Sequence, residues 1–173
     1  MNTIKATRSY LHLPTREALR GAPLQDGFRI EHAHPCPIAF FRFLYAEVGR
    51  DYRWRERLTW TDEQCALHLA KPGVSIWVLY GEGAPAGYFE LNMESDGSVE
   101  IAYFGLMREF IGRALGKQML AAAAERAWSL GASRVWLHTS TLDNASAMPN
   151  YLARGFEKYR EEEYEFPAEG RGT

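Results

Sequence analysis

Residues 111–117 read Ile-Gly-Arg-Ala-Leu-Gly-Lys (IGRALGK): small residues Gly112, Ala114 and Gly116 alternate with the cations Arg113 and Lys117 where a strand gives way to a helix. The stretch is not a Walker A loop, because that motif needs four residues between its glycines and a Ser or Thr after the lysine. Here three residues intervene and Gln118 follows Lys117. It is not a G-x-G-x-x-G dinucleotide fingerprint either, since the required glycines are missing. What remains is a loop whose small residues let backbone approach a ligand, opening into a helix N-terminus whose free N–H groups favour an anion such as pyrophosphate. The helix dipole adds roughly 0.3–1 kcal/mol per well-placed charge, and Arg113 and Lys117 can supply charge-assisted contacts. The same small residues would also let a helix pack closely on a sheet, and both readings stand at this point.

Outward from this stretch the pattern is clear. Upstream, Val74 to Tyr80, Ala86 to Met93 and Ser98 to Leu106 are β-rich runs separated by turn chemistry at residues 81–85 and 95–97, which predicts an antiparallel meander. Downstream, Leu115, Met119, Ala122 and Ala123 recur at helical spacing and Gly131 sits where a C′ glycine ends a helix. Arg134 to His138 is a short strand, Ala147 to Arg154 a helix, and Glu157 to Phe166 a last strand. The fold class is α/β: a mixed sheet, an antiparallel meander followed by β-α-β-α-β. The first 70 residues add strands in Ser9 to Leu13 and Phe28 to Ala33, a helix from Ile38 to Val48, and a short helix from Asp62 to Ala70 capped by Thr61 and stopped at Lys71-Pro72-Gly73.

The whole chain fits one domain of 173 residues with no internal repeat or linker; only the first few residues and the tail from Pro167 to Thr173 are expected to lack order. Apolar residues make up 46%, charged residues 24%, and the formal net charge is −2. That balance gives no basic field for nucleic acid. No segment reaches the ~20 apolar residues of a membrane span and no secretory leader is evident, so a cytoplasmic protein without membrane contact is expected. Cys36 and Cys65 lie in unlike contexts and read as two buried thiols. His32, His34 and Cys36 alternate, but no carboxylate completes a ligand set and two prolines break the strand, so no metal is expected.

The run Phe104 to Gly116 (FGLMREFIGRALG) resembles the acetyl-CoA signature of the GNAT superfamily of N-acetyltransferases, commonly Val-x-Pro-Glu-x-[Gln/Arg]-Gly-x-Gly-[Ile/Leu]-Gly. It departs at Ile111, where Gln or Arg is usual, and at Ala114, where the family allows Ala for the middle glycine. Asn144 to Phe156 (NASAMPNYLARGF) resembles the second signature, N-x-x-A-x-x-x-Y-x-x-x-G-F, through Asn144, Ala147, Tyr151, Gly155 and Phe156. The two stand in family order, and the resemblance covers roughly residues 74 to 166. It implies a single N-acetyltransferase domain over 1–173, with an acceptor-side N-terminal part (1–72) and an acetyl-CoA-binding core (73–166). It further implies acetyl-CoA as cosubstrate, a small-molecule or peptide primary amine as acceptor, and room for a homodimer. A non-catalytic acyl-CoA-binding or regulatory domain of the same fold is the alternative.

Acetyl transfer from a thioester to an amine requires a neutral amine, a stabilised oxyanion and a protonated leaving thiolate. The resemblance gives the last task to Tyr151, a phenol that can donate to a thiolate held in contact. Pro149 should delay regular helix to about Met148 or Pro149, leaving Asn144 in the preceding loop. Taken alone, Tyr151 also reads as a core residue and Asn144 as a cap. The resemblance also implies Glu100 as the candidate base, since some family members carry a glutamate at this place on the strand leading to the CoA loop; strand alternation puts Glu100, Ala102 and Phe104 on one side, and the competing reading is an exposed carboxylate paired to a cation. The resemblance further implies that backbone N–H groups near Gly105 and Leu106, with Gly105 as a bulge, would stabilise the oxyanion; by itself Gly105 reads equally as a packing glycine in a strand. By the same resemblance Phe104, Gly105, Leu106, Gly112, Arg113, Ala114, Leu115, Gly116, Lys117 and Asn144 would hold acetyl-CoA. His138 reads as a core-edge histidine. The run Tyr52 to Trp60 (YRWRERLTW) either walls the acceptor site, where its arginines would suit an acceptor carboxylate, or is an amphipathic surface segment.

Overall fold

The computed structural model describes residues 3–167. Seven strands form one sheet: β1 (Thr3–Leu13), β2 (Phe28–His32), β3 (Val74–Gly81), β4 (Ala84–Met93), β5 (Val99–Leu106), β6 (Val135–Ser140) and β7 (Glu157–Pro167). Four helices accompany them: α1 (Ile38–Gly49), α2 (Asp62–Leu69), α3 (Leu115–Ser129) and α4 (Ala147–Ala153). The expected low-order residues Met1, Asn2 and 168–173 lie outside the described residues, while Pro167 closes β7.

Strand order is β2-β3-β4-β5-β6-β1-β7. β2 to β5 are successively antiparallel, β5 and β6 are parallel, and β1 runs antiparallel to both β6 and β7. The α/β architecture expected from the sequence is therefore present, meander first and crossover helix second. The position of β1 is not what residue order suggests. It begins at Thr3 rather than Ser9 and lies between the last two strands, pairing Arg8 with both Ser140 and Glu162. Leu11 and Leu13 are fully buried there, so an N-terminal segment builds the C-terminal half of the sheet.

The helices form for local reasons and pack for tertiary ones. α2 starts on a capping box, with the Gln64 N–H donating to Thr61 Oγ1 at 3.2 Å and the Thr61 N–H to Gln64 Oε1 at 2.8 Å. α3 buries Leu115, Met119, Ala123 and Ala127 on one stripe and ends before Gly131, whose φ of +89° suits the left-handed cap position. α4 begins at Ala147, as its pattern indicates, without the delay to Met148 or Pro149 expected from the proline. Pro149 is tolerated because it occupies the third helical position, where no intrahelical acceptor awaits its nitrogen. Cys65 is fully buried, whereas Cys36 is only half-buried; desolvation and the Glu90 charge push the Cys36 thiol up to about 11.

One irregularity positions the site. β4 pairs Glu90 with Tyr103 but Leu91 with Ile101, which leaves Ala102 as an extra residue in β5. The bulge is thus at Ala102 and not at Gly105. It resets the alternation, so Tyr103 and Gly105 join Glu100 on one face, and Phe104 turns to the other with Ile101. α1 covers the Tyr103 and Gly105 face: a Cβ on Gly105 would lie 2.5 Å from Val48 Cγ1, so only glycine permits that approach. The N-terminus of α3 lies on the opposite side, beside Leu106.

Because β1 is an interior strand, Leu11→Ala should cost about 2–5 kcal/mol. Urea unfolding should show a lower midpoint with an unchanged slope, which a peripheral N-terminal arm would not produce.

Candidate active site

β5 and β6 pair only at Val99–Val135 and Glu100–Trp136, although β5 continues to Leu106 and β6 to Ser140. Beyond Glu100 the strands part, and the gap opens into a cleft of about 890 Å³. The backbone polar groups of Ile101–Leu106 that β4 does not use face this gap, as an unpaired strand edge must.

Glu100 stands at the vertex of the fork, with its side chain only 15% exposed. Burial, followed by repulsion from Glu94 and Glu90, pushes its carboxyl up to about 7. The reading of Glu100 as an exposed carboxylate paired to a cation does not hold. The nearest basic group is His138, with Nε2 3.7 Å from Glu100 Oε1. Desolvation and the Arg8 charge hold the His138 imidazole below its ordinary value.

One strand away the opposite electrostatic arrangement occurs. Glu90 is fully buried and accepts from Arg57 Nη1 at 2.6 Å and Nη2 at 3.0 Å, with His68 Nε2 2.8 Å from its Oε1. Burial opposes the Glu90 charge, but the His68 and Arg57 hydrogen bonds and the Arg57 charge outweigh it and hold the carboxyl below the usual range. The Arg57 guanidinium also stacks 4.1 Å from the Tyr103 ring centre and 4.9 Å from that of Trp60. The segment Tyr52 to Trp60 lines the cleft with residues 52–57 and sends aromatic rings inward, Trp54 packing against Tyr45 and Tyr103. Arg57, however, is engaged by Glu90 and is not available to an acceptor carboxylate. The sequence signal for this pair was Glu90 itself, a carboxylate inside the otherwise apolar run Tyr88-Phe89-Glu90-Leu91.

At the other end of the cleft, the loop before α3 places Gly112 at φ +82° and Ala114 at φ +61°. Left-handed backbone costs an alanine about 1–2 kcal/mol, so the turn is held by its surroundings. A Cβ on Gly112 would meet nothing within 4 Å, and one on Gly116 nothing closer than 3.9 Å. Packing inside the protein therefore does not explain why these positions are small, and the space they leave opens on the cleft. No side chain caps the N-terminus of α3.

Phe104, Gly105, Leu106, Gly112, Ala114, Gly116, Lys117 and Asn144 all line the cleft, together with Glu100 and Tyr151. Arg113 and Leu115 do not. Arg113 turns to Glu82 and lies over the Phe110 ring, and Leu115 is fully buried in the core. Asn144 sits in the loop before α4, where its Oδ1 accepts from the Ser146 N–H at 2.9 Å and its Nδ2 lies 3.4 Å from the Tyr52 hydroxyl across the cleft. Tyr151 is 8% exposed, packed edge-on to Phe156, and burial raises its pKa. His138 is not a core-edge residue: β6 extends past it to Ser140, and its side chain, 40% exposed, stands in the cleft. Register explains this, since His138 lies two residues beyond Trp136, the partner of Glu100, and so shares that face. His32 stacks on Trp77 and His34, and among the described residues no group of three or more His, Cys, Asp or Glu is arranged to hold a metal ion. Among the same residues no helix is long and apolar enough to cross a membrane.

The fold recurs in solved structures. A GCN5-related N-acetyltransferase from Sphaerobacter thermophilus superposes with TM-score 0.70 at 15% identity, over 95% of this chain and 52% of its own. Its counterpart from Kribbella flavida gives 0.66 at 16%, over 97% and 60%. A tandem GNAT protein from the clavulanic acid biosynthesis pathway gives 0.59 at 17%, over 98% and 56%. The chain thus spans little more than half the length of these structures. Comparison with curated proteins yields no match. The family model described as the acetyltransferase (GNAT) family matches residues 41–156, more than half of the chain. The protein belongs to the GNAT acetyltransferase family.

Glu90→Ala should destabilise the fold by about 3–5 kcal/mol at neutral pH, because it leaves the buried Arg57 charge uncompensated. The folded Glu90 pKa lies below its unfolded value of about 4.3. Its contribution is therefore complete above that value and fades as pH falls through the folded one. Denaturant unfolding at successive pH values should show the gap between wild type and variant narrowing in acid.

Proposed function

We propose that the chain is an N-acetyltransferase that moves the acetyl group of acetyl-CoA to a primary amine of a small molecule or peptide, by direct attack in a ternary complex. The observation that carries this reading is the fork. One continuous cleft brings a desolvated carboxylate, an unpaired strand edge, a buried phenol and an uncapped helix N-terminus together. Acetyl-CoA supplies an activated acyl group and a thiol leaving group. Its pyrophosphate suits the first turn of α3, where Gly112, Ala114 and Gly116 leave room and Lys117 adds charge.

Glu100 takes the proton of the incoming amine. A carboxyl near 7 is ionised over part of the neutral range and is still basic enough to accept a proton, which a normal glutamate is not. Free N–H groups along Ile101–Leu106 face the site of the developing oxyanion. Tyr151 donates to the departing sulfur; burial keeps its hydroxyl protonated throughout the neutral range, and transfer requires the sulfur in contact. Asn144 orders the loop that leads into the Tyr151 helix.

Acetyl-CoA incubated with a panel of primary amines should release free thiol with at least one of them; binding without release against every amine would favour a non-catalytic acyl-CoA-binding domain. Tyr151→Phe should lower kcat about 10²–10⁴-fold with little change in KM for acetyl-CoA, and full turnover in that variant would remove Tyr151 as the acid. For Glu100, kcat/KM of the wild type should rise with pH through about 7. Glu100→Gln should lose that acidic limb, and a limb left in place would exclude Glu100 as the base.

A further inference from the structure

A base buried at the vertex of a fork must lose its proton before each new turnover, and its surroundings decide where that proton can go. Glu100 faces Glu94 and Glu90 on or beside β4, Arg57 from the 56–59 turn, and His138 on β6. Arg57 is permanently protonated, and both Glu90 oxygens are occupied by Arg57 and His68. Glu94 accepts from the Asn92 amide. His138 remains, at 3.7 Å, slightly beyond hydrogen-bond length and closed by a small side-chain rotation or one bridging water. Its side chain is 40% exposed against 15% for Glu100, so the pair runs from the interior of the cleft to solvent.

We propose that His138 is a positioning residue through which Glu100 passes its proton to water, an inference that rests on Glu100 being the base. The amine proton moves to a Glu100 oxygen as the nitrogen lone pair forms the new bond. Glu100 then gives the proton to His138 Nε2, forming the imidazolium, and the imidazolium releases a proton to water. Both groups return to their starting charge, Tyr151 regains from water the proton it gave to the departing sulfur, and no other reactant is consumed. The groups facing His138 suit this role. Arg8 and Tyr10 from β1, Asp143 after β6 and Glu162 from β7 surround the ring. Glu162 is engaged by Arg8, Tyr10 and Arg160. Desolvation and the Arg8 charge keep the imidazole neutral near pH 7, so with the proton on Nδ1 its Nε2 lone pair is free to accept.

The test uses the full chain and two readouts. With acetyl-CoA and the best-turned-over amine of the panel, His138→Gln should lower kcat about ten- to hundredfold, leave KM for acetyl-CoA unchanged, and recover on addition of free imidazole. As the second readout, the solvent deuterium isotope effect on kcat should be larger in His138→Gln than in wild type, because proton release from Glu100 to water then limits turnover. If Glu100→Gln loses activity while His138→Gln keeps full rate and an unchanged pH profile, the relay is wrong and the acetyltransferase reading stands. An isotope effect on kcat unchanged by His138→Gln also overturns the relay. Failure of every amine to release thiol overturns the base assignment and the relay together.

Discussion

The parting of β5 from β6 after two residue pairs is the constraint from which the rest of the site follows. Two parallel strands that stay paired would satisfy each other's backbone and leave no opening between them. Here the extra residue at Ala102 twists β5 away, turns Tyr103 and Gly105 toward α1, and leaves a strand edge facing open space. An unpaired edge inside a fold is costly unless water or a ligand reaches it, and here the edge opens on the cleft. The same divergence exposes Glu100 at its vertex and lets His138, two residues along the other arm, stand beside it.

Two carboxylates on neighbouring strands illustrate how environment, and not residue type, assigns chemistry. Glu90 and Glu100 lie on one face of the sheet, and both are largely withdrawn from water. Glu90 has a bidentate arginine and a histidine, so it stays charged and structural. Among the described residues Glu100 forms no ion pair with an arginine or lysine, its basic neighbour being the neutral His138, and the charges of Glu94 and Glu90 near it make ionisation harder still. The Arg57–Glu90 pair thus has two effects: it ties the 56–59 turn to the sheet, and it helps tune the neighbouring carboxyl.

Much of the local structure was legible because it depends on short-range rules. The meander showed in its β-rich runs and turns, α2 in the Thr61 cap and the Lys71-Pro72-Gly73 stop, and the end of α3 in Gly131. The grouping of Gly112, Ala114, Gly116, Asn144 and Tyr151 around one cleft was to be expected only through the resemblance, since loop chemistry alone left packing as an equal explanation. The bulge was misplaced at Gly105 because a glycine marks backbone permissiveness, not register, and register is set by the partner strand. His138 was undervalued for a related reason: nothing near it in sequence says which strand will face it.

The sequence by itself determined the order and type of the elements, the loop that opens α3 and the pairing of two signatures along the chain, because periodicity, caps and turn residues act over a few positions. Only the tertiary structure decided that β1 enters between β6 and β7, that Arg57 turns inward to Glu90, that Arg113 turns away from the cleft, and that Glu100 meets His138. Each of these joins residues more than 30 positions apart. Their energies come from burial and from charges brought together in a low dielectric, and neither exists until the sheet has assembled.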